Sequence, residues 1–209
     1  MNRWCCFLLY LLVLSCVGKH KSDAPKVTVS PMVLHSFITD ADTLRISLEK
    51  SRIEWVATEM RGAKKRTGII AFKDGLFFYQ DGKIIGGKFT VDMETIDVTD
   101  VPSHEKIARR NLLNHLKSKD FFNVMHYPLS TLELTSVLQI KNDSLKISGN
   151  LTIREVTKNI GFFAHLKDGN FRTNFSFNRL NWNIAYEGSW ADKTLVDKDV
   201  ELTIEIVKE

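Results

Sequence analysis

The chain predicts an all-β fold, a closed antiparallel barrel or sandwich of about eight strands, with one short helix near residues 103–124. Three observations predict it. From Leu44 onward, apolar residues recur at every second position in run after run, which marks strands with one buried and one wet face. Short turn signals separate these runs at near-regular spacing. All three cysteines, Cys5, Cys6 and Cys16, lie at the N-terminus, so the body has no disulfide framework and must be held by a real core. With 44% hydrophobic residues in 209, one domain can build such a core.

At the N-terminus, Arg3 precedes the apolar run Phe7–Leu14 and Lys19 follows it. That run is short of the roughly 20 apolar residues that a membrane-spanning helix needs, so it reads as the centre of a secretory signal. Val13-Leu14-Ser15 before Cys16 resembles a bacterial lipobox, which makes residues 1–15 a lipoprotein signal peptide and Cys16 the lipid-bearing (palmitate-type) first mature residue. Acyl chains contribute about 0.8 kcal/mol per buried CH₂. The polar stretch that follows suits a tether, so residues 16–43 are taken as lipidated tether and entry segment and 44–209 as the folded domain. The expected location is the bacterial envelope, and Val17, in place of an inner-membrane-retaining Asp, points to the outer membrane, facing the periplasm.

In the body, Ile53, Trp55 and Ala57 form the first inward row, then Phe89, Val91 and Met93. Leu132, Leu134, Ser136 and Leu138 form the next, followed by Leu145, Ile147, Gly149, Leu151 and Ile153. Ile160, Phe162, Ala164 and Leu166 come after, then Phe171, Thr173, Phe175 and Phe177, and last Val200, Leu202, Ile204 and Ile206. The turn signals are Lys73-Asp-Gly75, Gln80-Asp-Gly82, Lys141-Asn-Asp143 and Lys167-Asp-Gly-Asn170. One stretch breaks the period: Ala108, Leu112 and Leu116, with Leu113 beside them, make a helix face. Ser103 is placed to cap its start, and Lys117 and Lys119 favour its C-terminal dipole. Phe121 and Phe122 follow, then the stop Tyr127-Pro128.

Large aromatics and small residues alternate along the inward rows, a mixture that suits either a filled core or a ligand cavity. A formal charge of +4, which falls to +3 once Arg3 is removed with the signal, is too mild for a nucleic-acid binder, and Lys64-Lys65-Arg66 reads as a solvated turn. Enzyme signatures are missing: there is no Gly-x-Ser-x-Gly elbow and no phosphate-binding glycine loop. His104-Glu105 begins like a zincin motif, but Ala108 stands where the second histidine belongs. No catalytic residue, metal site or cofactor is expected.

Four segments carry a family resemblance. His115-Leu-Lys-Ser-Lys-Asp-Phe-Phe-Asn-Val124 with Tyr127-Pro128 resembles the HLKS-x-DFF-x-V…YP signature of YceI-like proteins. Gly86–Val98, Gly149–Lys158, and Asn178-Arg179 with Trp182 and Tyr186 resemble three further family segments, in the family's order. Glu155 stands where the family has Gly, which implies a different turn there, and Asn178 replaces an acid, which removes one possible ion pair. The resemblance implies a lipocalin-like barrel that holds a polyisoprenoid or isoprenoid quinone as ligand. The implied apolar cavity is lined by Ile53, Trp55, Phe89, Val91, Leu134, Leu151, Phe162, Phe175 and Phe177, with Phe121 and Phe122 as mouth or plug. The expected partners are that lipid and, through Cys16, the membrane. A filled barrel that serves as an envelope interaction or structural lipoprotein remains the alternative.

Overall fold

The computed structural model describes residues 20, 22–34, 41–141, 143–185 and 196–209. The signal region, Cys16 and Tyr186 lie outside them. Eight strands close the barrel: β3 (Arg52–Glu59), β4 (Lys64–Gln80), β5 (Lys83–Val98), β6 (Leu129–Lys141), β7 (Ser144–Ile153), β8 (Val156–Lys167), β9 (Asn170–Asn178) and β10 (Val196–Ile206). Each pairs antiparallel with the next, and β10 pairs with both β9 and β3. Two short strands are added, β1 (Thr28–Pro31) on β8 and β2 (Asp42–Arg45) on β4.

Two of the turn signals make tight hairpins. Asp81 and Gly82 (φ 51° and 72°), like Asp168 and Gly169 (φ 53° and 77°), take the paired left-handed conformations of a type I′ turn. Lys73–Gly75 does not form the expected turn. It lies inside β4, where the register slips between Phe72 and Asp74, because an Asp-Gly pair serves a bulge as well as a hairpin. Gly75 is there for close approach: a Cβ on it would lie 2.6 Å from Ile46 Cδ1. At the β7–β8 turn the left-handed residue is Arg154 (φ 54°), which frees Glu155 from needing glycine's conformation.

The inward rows are buried as the alternation predicts, with one correction. A bulge between Leu134 and Ser136 reverses the phase of β6, so Val137 packs on the core and Leu138 points to solvent. A slip of one residue exchanges the two faces of a strand. The helix, α1 (Lys106–Lys117), is also shorter than expected at its start. Glu105 occupies the cap position and Ser103 makes no capping bond, because the Glu105 N–H donates to Pro102 O (2.9 Å) in a preceding turn. At the other end the Lys117 ammonium donates to Glu94 O (2.6 Å), which ties the helix to β5.

The stretch read as tether is not free along its described length. The His20 N–H donates to Gly62 O (2.9 Å), and Ser22 Oγ donates to Glu201 (2.6 Å). Lys26 pairs with Asp199, and the Val27 N–H donates to Ser176 O (2.9 Å). β8 and β9 pair only from His165–Lys167 to Asn170–Arg172. Beyond that they part, and residues 24–31 fill the gap, with Thr28 opposite Gly161. The strap ends at Asn150, whose side chain accepts from the Val33 N–H (3.1 Å) and donates to its carbonyl (2.7 Å). Asn150→Ala should therefore cost about 1–2 kcal/mol and speed hydrogen exchange at residues 28–33. Unchanged exchange there would show that the strap is held by β1 pairing alone.

Candidate functional site

The inward rows leave two adjoining cavities. The larger, about 190 Å³, lies at the end covered by α1. Ile53 and Trp55 of β3, Val91, Met93 and Ile96 of β5, and Leu151 and Ile153 of β7 form its wall, with Phe177 of β9. Leu112, His115 and Leu116 of α1 close it from above with Phe121 and Phe122. The smaller, about 80 Å³, lies deeper, among Phe72, Phe89, Leu134, Ile160, Phe162, Phe171 and Phe175. Ile53, Val91, Ser130, Leu151 and Leu202 line both.

Every apolar residue expected from the sequence therefore lines one cavity or the other. Ile53, Val91 and Leu151 line both; Trp55, Phe177, Phe121 and Phe122 line the larger; Phe89, Leu134, Phe162 and Phe175 line the smaller. The aromatics pack on one another in tilted and edge-on pairs. Phe162 and Phe175 stand 5.0 Å apart, and Phe77 and Phe89 stand 5.0 Å apart. The Phe pair after the helix is itself edge-on at 4.9 Å, with Phe121 buried and its ring 5.7 Å from that of His115.

Polar atoms in this interior are few and specific. Trp55 Nε1 and Ser130 Oγ are buried and have no hydrogen-bond partner, although their residues are only 8% and 7% exposed. An unmade hydrogen bond at such depth costs about 1–3 kcal/mol, so each is a place where a ligand oxygen would be welcome. Arg66, at the rim, is paired with Glu59 (3.1 Å) and Asp100 (2.9 Å). Burial opposes its charge, but the bonds to Asp100 and Glu59 outweigh burial and raise its pKa. Only Lys64 and Lys65 of the basic triplet stay exposed, at the start of β4.

Arg179 was legible only as part of a motif. It is 2% exposed, in a 3-10 turn (Arg179–Trp182) whose start is capped by Asn178 Oδ1 accepting from the Leu180 N–H. Its guanidinium donates to Asp197 O (3.1 Å), Val196 O (2.8 Å) and Ile184 O. It also stands 5.7 Å from the centre of the Phe121 ring. Burial lowers its pKa, with the nearby Asp197 charge opposing. Ser130 had a signal too, because it continues the Leu132–Leu134 row two residues back. Among the described residues, no group of three or more His, Cys, Asp or Glu is placed to hold a metal ion, and no helix is long and apolar enough to cross a membrane.

Comparison with known proteins agrees with the motifs and the barrel. The YceI-like domain model matches residues 44–208. A UPF0312 protein of Azotobacter vinelandii is 33% identical over 108 residues, 49% of this chain and 53% of that protein. Protein YceI of Escherichia coli O157:H7 is 37% identical over 93 residues, 44% of this chain and 44% of that protein. The chain thus spans about half the length of the curated relatives it matches. In three dimensions it is similar to BcnA of Burkholderia cenocepacia, with a TM-score of 0.63 and 18% identity over 77% of this chain and 98% of that one. It is also similar to a polyisoprenoid binding domain from Saccharophagus degradans, with a TM-score of 0.58 and 10% identity over 81% and 99%. At such identities the likeness is one of fold, and it agrees with the lipocalin-like barrel. The strap before residue 35 lies outside the matched region. With its four motif segments in order and the model spanning all eight barrel strands, the chain belongs to the YceI-like domain family.

Proposed function

We propose that this protein is a lipid-anchored envelope protein that binds an isoprenoid lipid, a polyisoprenoid or an isoprenoid quinone, inside its barrel and performs no chemistry on it. The observation that carries the reading is the pair of adjoining, aromatic-lined cavities inside a barrel of this family. The Saccharophagus degradans domain, described as polyisoprenoid-binding, has the same fold. Burial drives such binding: several hundred Å² of isoprenoid surface at roughly 25 cal/mol per Å² contributes on the order of 10 kcal/mol before ordering costs. Acylation at Cys16 would hold the protein to the outer membrane, facing the periplasm.

Size refines the ligand. An apolar cavity of about 150 Å³ holds a benzene ring, so the larger cavity takes a ring as it stands. A tail must pass the Ser130 junction and displace side chains around the smaller cavity. Trp55 Nε1, a donor, and the Ser130 hydroxyl favour a ring that carries oxygen, which selects an isoprenoid quinone over a plain hydrocarbon. The volumes also fall short of the roughly 300–1,000 Å³ of most ligand pockets, which favours the filled barrel as the second reading.

Native mass spectrometry and solvent extraction of detergent-free protein decide between them. A stoichiometric isoprenoid adduct is expected. A protein that purifies empty and takes up neither quinone nor polyprenol would sink the lipid reading in favour of the filled barrel. Ser130→Leu closes the junction between the cavities. It should weaken a long-tailed quinone about a hundredfold, the equivalent of roughly 100 Å² of lost apolar contact, and leave a quinone with one isoprene unit bound. Equal losses for both quinones would show that the tail does not cross Ser130.

A further inference from the structure

The strap and the helix-covered end of the barrel have a consequence for where this protein meets a surface. The described chain begins at His20, bonded to Gly62 in the β3–β4 turn, and that turn stands at the same end as the larger cavity. Cys16 is four residues earlier, so a fully extended chain spans at most about 14 Å from the lipid-bearing residue to that rim. Strands of the barrel, at about 3.3 Å per residue, are far longer than this. An acylated Cys16 therefore holds this end of the barrel, and not the other, against the bilayer.

The chemistry of the two ends differs in the same sense. At the helix-covered end, Met60, Ile107, Met125 and Leu180 are exposed, by 57%, 68%, 84% and 44%. Three of the acids nearby are taken, Glu59 and Asp100 by Arg66 and Asp97 by Arg109, and Glu105 at the start of α1 is exposed without an ion pair among the described residues. Arg61, Lys65, Lys106 and Arg110 are exposed there, and none forms an ion pair with a described acid. Each basic residue near an anionic leaflet adds to the attraction for that surface. At the far end each exposed turn carries both signs, Asp81 with Lys83, Lys141 with Asp143, and Lys167 with Asp168.

We propose that the helix-covered rim is a membrane-docking face that seats on an anionic phospholipid surface. Met60, Ile107, Met125 and Leu180 enter the interface, and Arg61, Lys65, Lys106 and Arg110 meet the headgroups. The end of the larger cavity that α1, Phe121 and Phe122 cover thereby faces the bilayer from which a lipid is drawn. This rests on the anchored lipid-binder reading above. A second exposed apolar group, Leu138, Ile140 and Phe163 on the barrel wall, is the competing contact.

The test uses the full chain, produced in a bacterium that acylates lipoproteins and reconstituted on phosphatidylethanolamine vesicles with and without phosphatidylglycerol. An environment-sensitive fluorophore is placed in turn at Met60→Cys, Lys83→Cys and Leu138→Cys, and quenching by spin-labelled phospholipid is read. Quenching severalfold stronger at position 60 than at 83 or 138, and strengthened by phosphatidylglycerol, supports the docking face. The triple variant Arg61→Gln, Lys65→Gln, Arg110→Gln should lose the phosphatidylglycerol-dependent part. Strongest quenching at 83 or 138, equal quenching at all three, or none at any overturns the proposal. Intact mass at Cys16 is read separately: an unmodified cysteine sinks the anchor alone, because the vesicles are supplied and the ranking of the three positions still judges the face.

Discussion

Arg179→Met should lower the melting temperature by about 10 °C, corresponding to about 3 kcal/mol in a chain of this size. The guanidinium reaches three carbonyls at once, those of Ile184, Val196 and Asp197, and methionine fills the space without reaching any. Removing the charge returns the cost of burying it, which limits the loss. Arg179→Lys separates the two contributions. Lysine keeps the charge but has no planar fork, so it should be no more stable than methionine there. Thermal unfolding by circular dichroism gives both values. A lysine variant with the parent's melting temperature would show that charge, and not the three-way reach, is what the site uses.

Gly68→Ala should cost about 3 kcal/mol, the upper end of the usual range for overpacking. Gly68 sits between Trp55 of β3 and Val98 of β5 in the sheet. A Cβ on it would lie 1.9 Å from Asp97 O and 2.3 Å from the Trp55 ring. The carbonyl contact is relieved only if the β4–β5 backbone shifts, and the indole must also move, toward the larger cavity that it lines. Weaker lipid uptake and altered tryptophan emission should accompany the lost stability. Gly82→Ala is the control: nothing lies within 4 Å of its Cβ, and only its φ of +72° penalises a side chain, a cost of about 1 kcal/mol. Equal losses at the two positions would refute the steric account.

Much of the barrel was legible because burial on one face imposes a period of two, and the rows from Ile53 to Ile206 show it. Two of the failures share a cause. Leu138 and Lys73–Gly75 both fall at bulges, where a residue is inserted into the ladder and the local composition does not reveal it. The strap was illegible for another reason: Thr28–Pro31 is too short to alternate, and its partners on β8 and β9 lie far along the chain. The cavity side chains were legible as a set, but not their division between two cavities, since that depends on which strands bring Ser130 and Leu202 together. Arg179 could be read only as a motif, because its acceptors come from Ile184 and from the start of β10.

The strap also has a bearing on how the chain folds. Its contacts span the molecule, Ser22 bonding to Glu201 across 179 positions, while β3 closes the barrel only against β10. Contacts of such separation are slow to form, because the intervening chain must be closed before they add any stability. The strap contacts to β10, Ser22 with Glu201 and Lys26 with Asp199, thus form only after the last strand has been made, while Thr28–Pro31 can pair with β8 earlier. A nascent chain stopped short of Val196 has no closed wall, because β3 and β9 both lack β10, so it stays open to threading and to proteolysis until that strand is made.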